Sequence, residues 1–380
     1  MAFDRLIDRR GTGSLKWDRY KGKDVLPFWV ADMDFLSPEP VLEALRRRVD
    51  HGVFGYTLAP EGCVQSVVDY LRKRHRFFVE PEWIAWTPGL VPAINIACRA
   101  YGDPGDGIMT LTPVYYPFLT APQYASQNLQ AVPLELDRVN GKWEIDFDRL
   151  EASVTDETRV FILSNPLNPV GKVLNASEME RLGDFIVRHD LVLCSDEVHS
   201  DLILNDATHT CAGALGEEVV KRTLVMNSPS KTYNLAGLSC AYVVIPDEKL
   251  RQKFQLAARG LVTEVNCMGY AACEAAYREC EPWREELVVH LEQNRQLVYQ
   301  TVEQEFEGIE IYPMDATYLA WLDARGLSVK NSAALFERFG VGLSEGATFH
   351  GKGFLRMNFG CPRSQLEEGL DRMKTALASI

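Results

Sequence analysis

No two cysteines in this sequence stand in a Cys-x-x-Cys spacing, although nine are present, at 63, 98, 194, 211, 240, 267, 273, 280 and 361. Their scatter excludes the usual zinc-ribbon pattern and suggests no disulfide framework. Several, such as Cys194 in LVLCSDE, sit in apolar strand-like runs and read as small core residues. No window approaches the ~18 consecutive apolar residues of a membrane span. The first twenty residues, MAFDRLIDRRGTGSLKWDRY, are charged and contain no apolar core of a secretory signal. A Lys/Arg-rich arm is also missing, and the formal net charge of −13 comes from interspersed acids and bases. Nucleic acid and membrane are therefore not expected partners, and the expected setting is a reducing cytoplasm. No internal repeat or low-complexity segment is present. What remains is an ordinary globular composition, 46% apolar and 24% charged, on a 380-residue chain long enough for a sizeable core.

The middle of the chain alternates β-branched runs with amphipathic stretches. Strands are expected at 107–111, 129–136, 159–164, 191–195, 223–228 and 240–246. Between them the clearest helix opens at Asn175, with Glu178 three residues on, and puts Met179, Leu182, Phe185 and Ile186 on one face. This rhythm predicts an α/β layered domain with a mostly parallel sheet flanked by helices, whose ligands lie beyond the carboxyl ends of the strands. From about residue 282 a long helical pattern leads to strand candidates at 317–323 and 353–360 and a last helix from Ser364, a smaller α+β domain. The expected division is 1–47, an N-terminal segment packing with the small domain, then 48–281 and 282–380.

Four segments carry chemistry. In SPSKTYNLAGL, Lys231 follows an apolar strand and is flanked by Ser228, Ser230 and Thr232. Most lysines are solvated charges, but a lysine held neutral can bond an aldehyde cofactor, and such hydroxyls suit a phosphate. In LVLCSDEVHSDL, Asp196 ends a buried strand. It is either a cap or ion-pair partner, or the carboxylate that keeps a pyridinium nitrogen protonated. His199, three residues on, can reach the same ring or serve as a structural hydrogen-bonder. In SNPLNPVGKVL, a turn is expected, with Asn168 a ligand candidate and Pro169 a candidate cis residue. In WTPGLVPAINIACRAY, Thr87, Pro88 and Gly89 open an apolar helix whose free N–H groups can hold an anion, as many helix starts can.

Together with DRRGTGSLKWD, PFWVADMDF, HGVFGY, TPVYYPF, TYLAWLD and FLRMNFGCPRS, these stretches resemble the fold-type I pyridoxal 5′-phosphate (PLP) enzymes, the aspartate aminotransferase-like superfamily, over nearly the whole chain. Within it the chain looks most like the MalY/PatB group of cystathionine β-lyases and C–S lyases. The resemblance implies the aspartate aminotransferase-like fold and assigns roles by motif. Lys231 is the Schiff-base lysine, Asp196 the pyridinium partner, and Asn168 a hydrogen-bonder to the ring hydroxyl. His199 stands where many aminotransferases carry a tyrosine. Tyr115 stacks on the ring, with Tyr116 the competing register. Gly89, Leu90 and Ser228 hold the phosphate, Tyr56 reaches the phosphate of a second subunit in a homodimer, and Arg356 binds the substrate carboxylate. Asp32, with Met33, Asp34 and Phe35, is a candidate for the wall facing the substrate side chain, or else part of a turn and domain contact.

The implied reaction is β-elimination from L-cystathionine or related S-substituted cysteines, with the Lys231 amine as general base. Residue chemistry alone leaves transamination open, since both routes use the same lysine, aspartate and arginine. A non-catalytic regulatory protein on the same fold is the third reading.

Overall fold

The computed structural model describes residues 3–380. A seven-stranded sheet runs in the spatial order Ile84–Thr87, Ala241–Val244, Thr223–Asn227, Val192–Asp196, Thr158–Ser164, Gly107–Thr112, Asn128–Pro133. All neighbours are parallel except Ala241–Val244, which is antiparallel to both of its partners. The near-continuous apolar runs follow from burial on both faces. In Thr158–Ser164, Val160 and Ile162 join the core beneath helix Leu90–Tyr101, whereas Phe161 and Leu163 face Leu182, Phe185 and Ile186 on the other side. That is the period-two alternation of a strand.

The helix expected from Asn175 spans Ala176–Arg188 and carries the full capping box, Asn175 Oδ1 accepting from Glu178 N at 2.9 Å and Glu178 Oε2 from Asn175 N at 2.8 Å. The expected strand 129–136 is interrupted: Asn128–Pro133 belongs to the large sheet, and Glu135–Asp137 pairs with Lys142–Glu144 in a separate ribbon. Pro133, which has no N–H to donate, marks the break. The edge strand Ile84–Thr87, four residues long, was not among the sequence expectations.

A four-stranded sheet, Glu310–Ile311, Leu319–Asp323, Phe354–Asn358 and Ser344–Glu345 in spatial order, forms the second layer system with helices Glu281–Glu305 and Arg363–Leu377. The N-terminal residues pack here: Leu26–Pro27 pairs in parallel with Val341–Gly342, and Phe3, Trp17, Phe28, Met33 and Phe35 enter this core. Lys16, fully buried, bonds Asp34 Oδ2 at 2.8 Å, and Arg9 bridges Asp34 and Asp32 at 2.7 Å each. Burial raises the Asp34 pKa, but Lys16, Trp17 and Arg9 outweigh it and hold the carboxyl below its ordinary range. The division at 47/48 and 281/282 stands as a proposal. Helix Glu39–His51 crosses the first boundary, and its Val41 and Ala44 pack against Ala272, Ala275 and Ala276. Among the described residues, no helix is long and apolar enough to cross a membrane.

Candidate active site

Three strand ends and one helix start converge on a cavity of about 230 Å3. Ser164 and Asp196 close adjacent parallel strands, and Ser228 directly follows the next one, Thr223–Asn227. The cavity also takes in Gly89, Leu90, Tyr115, Asn168, His199, Ser230, Lys231 and Arg356. The sequence candidates therefore meet in one place, except for Tyr56 and the stretch Asp32, Met33, Asp34 and Phe35.

Lys231 Nζ donates to the Ala31 carbonyl at 2.8 Å. Burial, aided by the Arg356 charge and opposed by Asp32 and Asp196, lowers its pKa to about 8. Asp196 moves the other way: burial raises its carboxyl to about 7, against the Val198 N–H and Lys231. His199 is buried and lowered to about 3, first by burial and then by Lys231 and Arg356, so its ring is neutral. Arg356, on strand Phe354–Asn358, donates to the Trp29 carbonyl at 3.0 Å and to Asn168 Oδ1 at 3.3 Å, and its guanidinium lies 4.5 Å from the centre of the Phe349 ring. Burial lowers it to about 10. Asn168 precedes a cis proline, as expected, and its carbonyl accepts from Tyr115 N at 3.2 Å.

Of the adjacent tyrosines, Tyr115 lines the cavity and Tyr116 is half exposed outside it. Burial pushes the Tyr115 phenol well up, so it stays protonated. Helix Leu90–Tyr101 begins at Gly89, which has no side chain to cap the first amides and whose φ of 151° favours glycine. Ser228 Oγ donates to the Cys240 carbonyl at 2.6 Å and lies 2.7 Å from Ser230 Oγ. Thr232 turns away, its hydroxyl donating to Asp201 Oδ2 at 3.1 Å on the far side of the turn. Of the three hydroxyls flanking the lysine, two face the cavity.

Tyr56 is fully exposed on this chain, beside exposed Phe54 and Leu58, and lines a separate hollow with residues 263–267. Asp32 lies outside the cavity lining, tied to Arg9, although its charge is felt by Lys231 and Tyr318. Met33, Asp34 and Phe35 are buried in the C-terminal core, which makes them a domain contact rather than a substrate wall. The sequence reading missed two main-chain carbonyls, Ala31 and Trp29, which receive Lys231 and Arg356. The PFWVADMDF stretch was the available signal, but a carbonyl acts without any residue type to announce it.

On the side chains that line the cavity, two buried polar atoms, His199 Nδ1 and Arg356 Nε, have no hydrogen-bond partner among the described residues. Burying such groups is costly unless something bonds them. The cavity therefore presents an amine of lowered pKa, a carboxyl opposite it, free helix-start amides and a buried guanidinium. That set suits an aldehyde-bearing, phosphorylated heterocycle and a carboxylate substrate.

The profile of the family described as aminotransferase class I and II matches residues 23–373. The cystathionine beta-lyase PatB of Bacillus subtilis (strain 168) is 36% identical, with 100% of each chain covered. Among solved structures, OvoB superposes with a TM-score of 0.97 at 38% identity, covering 100% of both chains. Cystalysin from Treponema denticola, solved with a pyridoxal 5′-phosphate cofactor, has a TM-score of 0.95 at 32% identity, covering 99% of this chain and 98% of its own.

Proposed function

We propose that this chain, which belongs to the aminotransferase class I and II family, is a PLP-dependent carbon–sulfur β-lyase. Its substrates are L-cystathionine or related S-substituted cysteines, and its products are pyruvate, ammonia and a thiol. The observation that carries the proposal is that Lys231, Asp196 and Arg356 share one cavity at the strand ends of a chain related over its full length to a cystathionine β-lyase.

The residues fit the cofactor. Lys231 would be the amine that binds it, Asp196 the carboxylate for its ring nitrogen, and Asn168 and His199 the polar neighbours of its ring. Tyr115 would neighbour the ring, and the Gly89 and Leu90 amides with Ser228 would hold the phosphate. When bound, PLP supplies an electrophilic carbon for the substrate amine and a ring that accepts the electron pair released at Cα.

The protein does the rest. Arg356 holds the substrate carboxylate through its planar fork and so fixes the Cα–H bond relative to Lys231. Lys231 Nζ, lowered to about 8, is neutral in a useful fraction near neutral pH and takes the Cα proton. The Cβ–S bond then breaks, its electron pair leaves on sulfur, and the Lys231 ammonium returns a proton to the thiolate. One water completes the release of ammonia and pyruvate.

Exposed Phe54, Tyr56 and Leu58 form an apolar patch that fits a second copy of the chain, with Tyr56 reaching that copy's phosphate site. Nine free cysteines fit a reducing cytoplasm. The test is L-cystathionine supplied without any keto acid. Pyruvate, ammonia and homocysteine over many turnovers are expected. A single turnover that leaves the cofactor in its amine form identifies an aminotransferase instead.

A further inference from the structure

Beside the catalytic cavity lies a larger hollow of about 770 Å3 that shares Ala31, Tyr115, Lys231 and Arg356 with it. Its other walls come from three distant stretches: Trp29 from the N-terminal segment, Tyr116 from the start of helix Pro117–Tyr124, and Ala334 and Leu343 from the C-terminal domain. None of these side chains enters the reaction described above. Tyr116 is half exposed, its ring centre 4.8 Å from that of Tyr115. Besides the shared Lys231 and Arg356, the charged residues lining it are Arg19, Glu337 and Glu345, all open to solvent. Arg19 lies over the Trp29 ring at 4.5 Å, Glu337 faces Lys23 at 3.5 Å, and Glu345 is exposed.

A cysteine anchored by its carboxylate on Arg356, with its Cα at Lys231, carries its sulfur two bonds further on. The shared walls lead a group on that sulfur into the hollow. Two kinds of contact are available to it there. Exposed charges change affinity by about fivefold at most, because water and salt screen them. Burying an aromatic ring against Trp29, Tyr116 and Leu343 changes it by about tenfold to a hundredfold. The apolar walls therefore decide.

We propose that this hollow is the subsite for the sulfur substituent, and that it selects cysteines bearing an aromatic group there over those bearing a short alkyl group or the amino-acid arm of cystathionine. The proposal rests on the β-lyase reading and narrows its substrate class.

The test compares S-benzyl-L-cysteine, S-ethyl-L-cysteine and L-cystathionine with the holoenzyme, followed by pyruvate. Benzyl is used rather than phenyl because a thiophenolate leaves more easily and would speed the chemistry irrespective of binding. Expected is a kcat/KM for the benzyl substrate at least tenfold above both others, expressed mainly in KM. Ala334 is exposed, so Ala334→Trp narrows the hollow without entering the core. Ala334→Trp and Tyr116→Ser should each lower the benzyl-to-ethyl ratio at least fivefold. Equal kcat/KM values for the benzyl and ethyl substrates, or a ratio unmoved by both variants, overturns the subsite while the lyase stands. Failure of all three substrates to give more than one pyruvate per active site sinks the lyase reading itself.

Discussion

Lys231 and Arg356 bring two cationic side chains into one cavity, where burial is the larger and the Arg356 charge the smaller cause of the lysine's lowered pKa. The lysine gives way first because its pKa starts lower. Its proton leaves as pH rises through about 8, so cofactor uptake by the apoprotein should accelerate between roughly pH 7 and 9 and then level off. Arg356→Met removes a positive neighbour, raises the lysine pKa and should move that midpoint upward. Absorbance at the bound-cofactor band, followed against pH, checks both, and a midpoint near the ordinary lysine value in the unaltered protein contradicts the account. Arg356→Lys keeps the charge but loses the two-pronged contact with a carboxylate. A charge-assisted hydrogen bond of about 1.5–3 kcal/mol predicts a ten- to hundredfold rise in KM with a smaller change in kcat. Steady-state kinetics on L-cystathionine reads it directly. At this scale the sequence was informative wherever a side chain carries the chemistry at a strand end, as with Lys231, Asp196 and Asn168. It was silent where a carbonyl does so, and it could not foresee that Thr232 turns toward Asp201 while Ser228 and Ser230 face inward.

At the scale of elements, the capping box of helix Ala176–Arg188 was fully legible in the sequence, since both of its partners stand three residues apart. Asn175→Ala should cost about 1 kcal/mol of stability. The helix packs on the sheet away from the cavity, so the urea midpoint should fall while KM holds. A changed KM with an unmoved midpoint contradicts this separation. Boundaries and short edges were harder to read. Ile84–Thr87 is too short to show a period, and the run through Pro133 read as one strand because apolar content hides a missing N–H. The single antiparallel strand, Ala241–Val244, depends on a chain reversal that no local pattern specifies.

On the whole-molecule scale, the proposed dimer is tested at the exposed 53–58 segment. Tyr56→Ala should leave the fold intact and loosen cofactor retention about tenfold, as expected for a phosphate hydrogen bond lost across an interface. Cofactor titration checks it, and sedimentation reports whether the dimer persists. Unchanged retention in a persisting dimer rules out the role given to Tyr56. The pairing of Leu26–Pro27 with Val341–Gly342 also orders events in time. The Trp29 carbonyl and Arg356 guanidinium that meet in the site are 327 positions apart, an interval on the order of tens of seconds of translation. A nascent chain can complete its seven-stranded sheet while the Ala31 carbonyl that receives Lys231 still has no C-terminal partner to hold it. The surroundings of the reactive amine are thus completed only when the C-terminal strands bring Tyr318 to the Ala31 carbonyl and Arg356 to that of Trp29.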